Sequence, residues 1–215
     1  MNKTKIVKEG WDRREIFDFF SSVSDPFYML TFKQDVTNLY AYTKKHGISF
    51  YYALVYLCTR AVNSVEAFLY AVEGEKIFRL DERIPSFTDL KKGSELFHIV
   101  TMEAGGSLPE FCRRAAETSA AQEVFIRHES EGDNLIYFSC APWVVMTALT
   151  NERDLSAPQA RDESIPHIAW GRYEETAGGR KQLCISIEVN HRFIDGIHIG
   201  RFHQALTEMI EALHA

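Results

Sequence analysis

The stretch Leu183-Cys184-Ile185-Ser186-Ile187-Glu188-Val189-Asn190-His191-Arg192-Phe193-Ile194-Asp195-Gly196 decides the architecture. Apolar Leu183, Ile185, Ile187 and Val189 alternate with Cys184, Ser186, Glu188 and Asn190, the period of a strand with two unlike faces. The alternation stops at His191, and Asp195-Gly196 marks a turn. Beyond it Ile199, Phe202, Leu206, Met209 and Leu213 recur at helical spacing. An imidazole, a carboxylate and a glycine therefore meet where a strand hands over to a helix, a kind of junction that often carries chemistry because both flanks hold it rigid. Such a triplet standing alone is equally the mark of a hydrogen-bonded turn without chemistry.

Working outward, segments 165–174 and 181–190 read as strands paired around Ala177-Gly178-Gly179. Strands are also expected over 27–36, 96–102, 135–139 and 144–149. Segments 69–72 and 76–80 form a hairpin around Glu73-Gly74-Glu75. Asp12 is placed to cap a short helix through Phe20, which Asp25-Pro26 ends. Thr37 or Asn38 is placed to cap a second helix that Gly47 closes. Residues 50–62 are apolar nearly all round, hence a buried helix. Ser107-Leu108-Pro109-Glu110 is a capping box opening a helix to about Gln122. The acidic 129–133 and polar 151–164 read as irregular loops. Strands interspersed with helices, several joined as hairpins, define an α/β two-layer sandwich with a mixed β-sheet. No linker or repeat interrupts the chain, so 1–215 is expected to be one domain.

The 46% hydrophobic and 25% charged content suits an ordinary globular chain of 215 residues. A net charge of −6 without a basic cluster argues against nucleic acid as the main partner. No run approaches the ~20 apolar residues of a membrane helix, and no apolar segment follows the N-terminal residues as in an export signal. Cys58, Cys112, Cys140 and Cys184 are scattered without metal-site spacing, so reduced thiols and a cytoplasmic location are expected.

Four separated blocks resemble the chloramphenicol acetyltransferase family, within the coenzyme A-dependent acyltransferases. They are Trp11-Asp12-Arg13-Arg14-Glu15, Phe50-Tyr51, Ser139-Cys140-Ala141-Pro142-Trp143-Val144 and the H-x-x-x-D-G of His191, Asp195 and Gly196 with His198 following. The form His191-Arg192-x-x-Asp195-Gly196 is also typical of dihydrolipoamide acyltransferase cores, which share that fold. The resemblance implies the chloramphenicol acetyltransferase fold and a homotrimer with active sites at the subunit interfaces. The implied reaction is acetyl transfer from acetyl-CoA, as co-substrate, to a small-molecule hydroxyl, the 3-hydroxyl of chloramphenicol, as in antibiotic resistance. No metal is implied.

By the same resemblance His191 is the general base, Ser139 steadies the oxyanion, and Asp195 pairs with Arg13 to fix the loop. Phe20, Tyr28, Phe97, Ile99 and Phe125 fall at acceptor-pocket positions. Tyr51, Trp143, Arg172 and Tyr173 fall at coenzyme A positions. The chain departs from the family at Ser49 (a lysine there), Phe20 (often tyrosine), Tyr28 (phenylalanine), Ile99 (alanine) and Ala169 (a threonine). His98 and His198 stand as alternative bases, the first expected to line the pocket and the second to orient or pack. His191, Asp195 and His198 also have metal-ligating side chains. A different hydroxyl or thiol acceptor, or a non-catalytic protein holding a hydrophobic ligand, remain alternative readings.

Overall fold

The protein is described by a computed structural model over residues 2–130, 132–153, 156 and 163–214. The strand read from the opening stretch is β10 (Lys181–Asn190), and the helix after it is α5 (Gly196–Glu211). In chain order the other elements are β1 (Lys3–Ile6), α1 (Arg14–Ser21), β2 (Phe27–Asp35), α2 (Thr37–His46) and α3 (Phe50–Asn63). The hairpin β3 (Tyr70–Glu73) and β4 (Lys76–Leu80) follows, then β5 (Ile84–Leu90), β6 (Phe97–Thr101) and α4 (Leu108–Ala121). The last are β7 (Leu135–Ala141), β8 (His167–Gly171) and β9 (Glu174–Glu175).

The main sheet runs β2-β10-β8-β7-β5-β6, with β9 appended to β10. It is mixed: β7 lies parallel to both β5 and β8, while the remaining pairs are antiparallel. The register carries one apolar row across all six strands, Val100–Phe87–Phe138–Ile168–Ile187–Leu30. That row joins a buried core with Leu54, Val55 and Cys58 of α3 and Phe202 and Leu206 of α5. The helices are thus the second layer, held by the removal of apolar surface from water. The next row, Ser139–Ala169–Ser186–Thr31, is small and polar and occupies the opposite face. A second sheet, β1-β4-β3, is tied to the first by the buried Arg83. Its guanidinium donates to the carbonyls of Phe68, Tyr70, Asp133, Leu135 and Ser164.

Several local expectations are revised. Segment 144–149 is no strand. Both edges of β10 are taken by β2 and β8, so this segment crosses the open face as an irregular strap. It is fastened through side chains: Leu149 N–H donates to Ser186 Oγ at 3.0 Å and Asn151 N–H to Glu188 at 3.4 Å. The strand expected over 165–174 is broken between β8 and β9, where Arg172 N–H turns to the Val144 carbonyl at 2.7 Å. Asp12 does not cap α1, whose N-cap is Arg13 without a side-chain cap. Neither Thr37 nor Asn38 caps α2; the Asp35 carboxylate accepts the Thr37 N–H at 2.8 Å instead. Gly47 does end α2, at φ 62°, and the Ser107–Glu110 capping box opens α4. Strands β1 and β5 are additions to the elements expected from sequence. Of the polar segment 151–164, residues 154–155 and 157–162 lie outside the described residues.

Candidate active site

β10 ends at Asn190, and His191 follows with its backbone N–H bound to the Pro26 carbonyl at 2.8 Å. Arg13 reaches across from the start of α1 and gathers the loop. Its Nη2 donates to Asp195 Oδ1 at 2.6 Å and to the His191 carbonyl at 2.9 Å. Its Nε donates to the Arg192 carbonyl at 2.7 Å, and Nη1 to Asp195 Oδ2. A guanidinium suits this task because its planar fork meets a carboxylate with two parallel bonds. These bonds, with the nearby positive charge, hold the Asp195 carboxyl below its ordinary pKa against the opposing effect of burial.

The His191 ring is sandwiched between Phe20, stacked at 4.0 Å, and Tyr28, at 4.4 Å. Burial lowers its pKa, Arg13 lowers it further, and Asp195 opposes, with His191 Nε2 3.5 Å from Asp195 Oδ1. The net direction favours the neutral imidazole, the form that accepts a proton. About a third of the side chain stays open to solvent, so the ring is also reachable.

The two alternative bases are occupied. His198 Nδ1 accepts the Asp195 backbone N–H at 2.9 Å, making His198 and Asp195 a reciprocal cap on α5. His98 is buried against α4, with Nε2 2.9 Å from Ser119 Oγ. It packs behind the sheet and does not line the cavity that holds Ser139. Among the described residues no group of three His, Cys, Asp or Glu side chains is placed to hold a metal ion.

Ser139 lies elsewhere. It is half-buried on β7, in a cavity of about 500 Å³ that also holds Tyr51, Phe97 and Trp143. Tyr51 donates its hydroxyl to the Thr88 carbonyl at 2.6 Å, and burial pushes its pKa well up. Phe97 packs edge-on against Phe125 at 5.4 Å, and Ile99 N–H donates to the Phe125 carbonyl at 2.7 Å. Sequence reading missed Gln122, whose side-chain amide holds this rim. It donates to the carbonyls of Ile99 at 2.6 Å and Val124 at 3.0 Å. A glutamine at a helix end carries no signal of that role.

The register separates the two halves. Ser139 faces Ala169, Ala169 faces Ser186, and His191 lies five residues farther along the chain from Ser186. Two strand spacings across and five residues along put the Ser139 and His191 Cα atoms about 19 Å apart. One chain therefore presents Arg13, Phe20, Tyr28, His191 and Asp195 as one group and Tyr51, Phe97, Ile99, Phe125, Ser139 and Trp143 as another. Arg172 and Tyr173 belong to neither lining. Arg172 is exposed beside Lys33 and Glu174. Tyr173 sits 6.0 Å from the Phe50 ring at the start of α3 and 5.4 Å from Lys181 Nζ.

A mixed sheet backed by helices thus presents a clamped, partly open histidine at the end of β10. Solved structures similar in fold include a chloramphenicol acetyltransferase at TM-score 0.85 and 21% identity, covering 97% of this chain and 100% of that one. A truncated catalytic core of the 2-oxoacid dehydrogenase multienzyme complex from Thermoplasma acidophilum matches at TM-score 0.67 and 18% identity, covering 99% and 100%. In sequence, chloramphenicol acetyltransferase 2 of Escherichia coli is 28% identical over 214 residues, 98% of each chain. The chloramphenicol acetyltransferase of Clostridium perfringens is also 28% identical over 214 residues, 97% of this chain and 98% of its own. The family profile described as chloramphenicol acetyltransferase matches residues 1–207. The chain belongs to the chloramphenicol acetyltransferase family, acyltransferase enzymes that use acetyl-CoA as co-substrate.

Proposed function

We propose that this protein is an acetyl-CoA-dependent O-acetyltransferase, one domain over 1–215, that works as a homotrimer and acetylates the 3-hydroxyl of chloramphenicol. The observation that carries the reading is the division of its machinery. A neutral-biased imidazole and an oxyanion-donor serine lie about 19 Å apart within one chain, each with its own aromatic surroundings. Cyclic assembly brings unlike patches of neighbouring copies together, so His191 of one subunit meets Ser139 of the next. Exposed Phe97, Phe125, Trp143, Val144 and Val145 supply apolar surface around the serine half.

In the joined cleft His191 takes the proton of the acceptor hydroxyl as its oxygen attacks the thioester carbonyl. The negative charge that forms on the former carbonyl oxygen is held by the Ser139 hydroxyl. Collapse breaks the carbon–sulfur bond, and the departing thiolate takes the proton back from His191, so the base is regenerated. Asp195 and Arg13 take no proton; they keep the imidazole in place. Tyr51 and Trp143 flank the thioester arm, with Tyr173 and Arg172 farther along its course. Phe20, Tyr28, Phe97, Ile99 and Phe125 surround the acceptor. The cytoplasm, where acetyl-CoA is available and thiols stay reduced, is the corresponding setting, and all four cysteines are unpaired.

Thiol release from acetyl-CoA, with chloramphenicol added and beside a His191→Ala variant, tests the reaction. Chloramphenicol-dependent release that His191→Ala abolishes supports it, and none from the native protein would sink it. A second reading, the same chemistry on another hydroxyl or thiol, is favoured by the bulk of Ile99 and by Ala169. Ala169 leaves no hydroxyl beside Ser139 in the row where the family resemblance places a threonine. Release with a different acceptor alone would select it. No release with any acceptor would leave the non-catalytic reading.

A further inference from the structure

The cavity around Ser139 is asymmetric in charge. Among the described residues of one chain its two carboxyl side chains are Asp89 and Glu95, and no lysine, arginine or histidine of that chain lines it. Lys91 and Lys92 lie in the turn between them, but both are exposed and outside the lining. The walls are aromatic: Tyr52 and Phe97, with Tyr51 and Trp143, placed above along the thioester arm, completing them. Asp89 is held in place, with Oδ1 accepting the Leu90 N–H at 2.8 Å and Oδ2 the Tyr52 hydroxyl at 2.5 Å. Burial foremost, then the bond to Asp89, raises the Tyr52 pKa, so this hydroxyl remains a donor. A carboxylate accepts about four hydrogen bonds, so Asp89 keeps capacity for a ligand donor. Glu95 is exposed and lines the same cavity, two residues before Phe97.

Carboxylates set among aromatic faces are a recognition chemistry for organic ammonium ions: the charges attract the cation, and the rings accept its polarised C–H and N–H groups. A neutral acceptor such as chloramphenicol gains no charge–charge attraction from either carboxylate. We propose that the preferred acceptor of this enzyme carries an alkylammonium group beside its hydroxyl, with Asp89 and Glu95 as the specificity-determining residues. This deepens the reaction proposed above and rests on it only for the direction in which the hydroxyl points. The acyl transfer itself is unchanged: the hydroxyl proton goes to His191, and the ammonium takes no part in bond making.

Two ligands that share the arylpropanediol frame serve as probes: chloramphenicol, and the free amine left when its dichloroacetyl group is removed; salt and the two substitutions then read the charge apart from the lost acyl contacts. Calorimetric titration of the native protein should give a dissociation constant about tenfold lower for the amine, between a rim ion pair and a fully desolvated one. Raising salt from about 0.05 to about 0.5 M should shrink that preference several-fold. Glu95→Gln, at an exposed position, should reduce the amine-to-chloramphenicol ratio, and Asp89→Asn with Glu95→Gln should erase it. Equal or weaker binding of the amine, or a preference indifferent to salt and to both substitutions, overturns the proposal. Thiol release with product mass analysis reports separately on the reaction. Amine binding without acetylation of either ligand would remove the proposed reaction and leave the pocket assignment standing.

Discussion

Arg13 and Asp195 stand 182 residues apart in sequence and are joined by two hydrogen bonds, while the remaining donors of Arg13 hold the carbonyls of His191 and Arg192. Removing the guanidinium leaves a half-buried carboxylate and two backbone carbonyls without their donor. Arg13→Ala should therefore lower unfolding stability by roughly 2–4 kcal/mol and reduce turnover as well. His191→Ala should lower turnover by about 10²–10⁴ with little change in stability, and denaturant titration of the two variants separates the roles. The Asp195 carboxyl is held low in the folded state, so its contribution is present above the ordinary carboxyl pKa. It is lost as pH falls through the folded value. Stability against acid should consequently become flatter in Arg13→Ala.

In the proposed role of general base His191 must be neutral, and burial lowers its pKa. A lowered value keeps the imidazole unprotonated at more acid pH, so the acid limb of kcat/KM should have its midpoint below about 6.5. Phe20→Ala uncovers one face of the ring, and the limb should then move upward. A limb centred above the ordinary histidine value in the native enzyme would contradict the assignment.

The division of the site makes complementation decisive. In the proposed homotrimer His191→Ala and Ser139→Ala should each weaken turnover, the first by about 10²–10⁴ and the second by about 10²–10³. Mixed, unfolded together and refolded, the two should form trimers in which about one site in four combines an intact histidine with an intact serine. Recovery to about a quarter of native turnover is the expected result. Were both groups drawn from one chain, mixing would restore nothing.

Gly171 lies where the strap crosses β8. A Cβ there would stand 2.6 Å from the Val144 carbonyl oxygen and 2.9 Å from the Met146 nitrogen. Both are backbone atoms, so relief requires the strap to move. Gly171→Ala should cost about 1–3 kcal/mol and displace Trp143 from the Ser139 cavity. Tryptophan fluorescence together with thermal melting measures both effects.

Much of this was legible in sequence because it rests on periodicity and on turn chemistry. The alternation of 183–190, the Gly47 stop and the Ser107 box each specify their own local structure, and the four family blocks locate His191 and Ser139. The strap was not legible, since Val144 to Leu149 has a strand's composition and only the pairing of both β10 edges excludes it. Strand β5 escaped because Pro85 and the polar Ser86, Thr88 and Asp89 break any alternation; its neighbours β6 and β7 complete it. Arg83 carries no local signal of burial, and five carbonyls contributed by distant segments hold its guanidinium. The separation of the two halves follows from sheet register, which no local pattern records.

The Gln122 amide has a chemical consequence of its own. Its nitrogen donates toward the carbonyls of Ile99, Val124 and Phe125, and the side chain is almost wholly sealed from solvent. Deamidation exchanges that nitrogen for oxygen with almost no change of shape, and turns three attractions into three repulsions. Gln122→Glu should therefore loosen the Phe97–Phe125 lip while the fold stays whole.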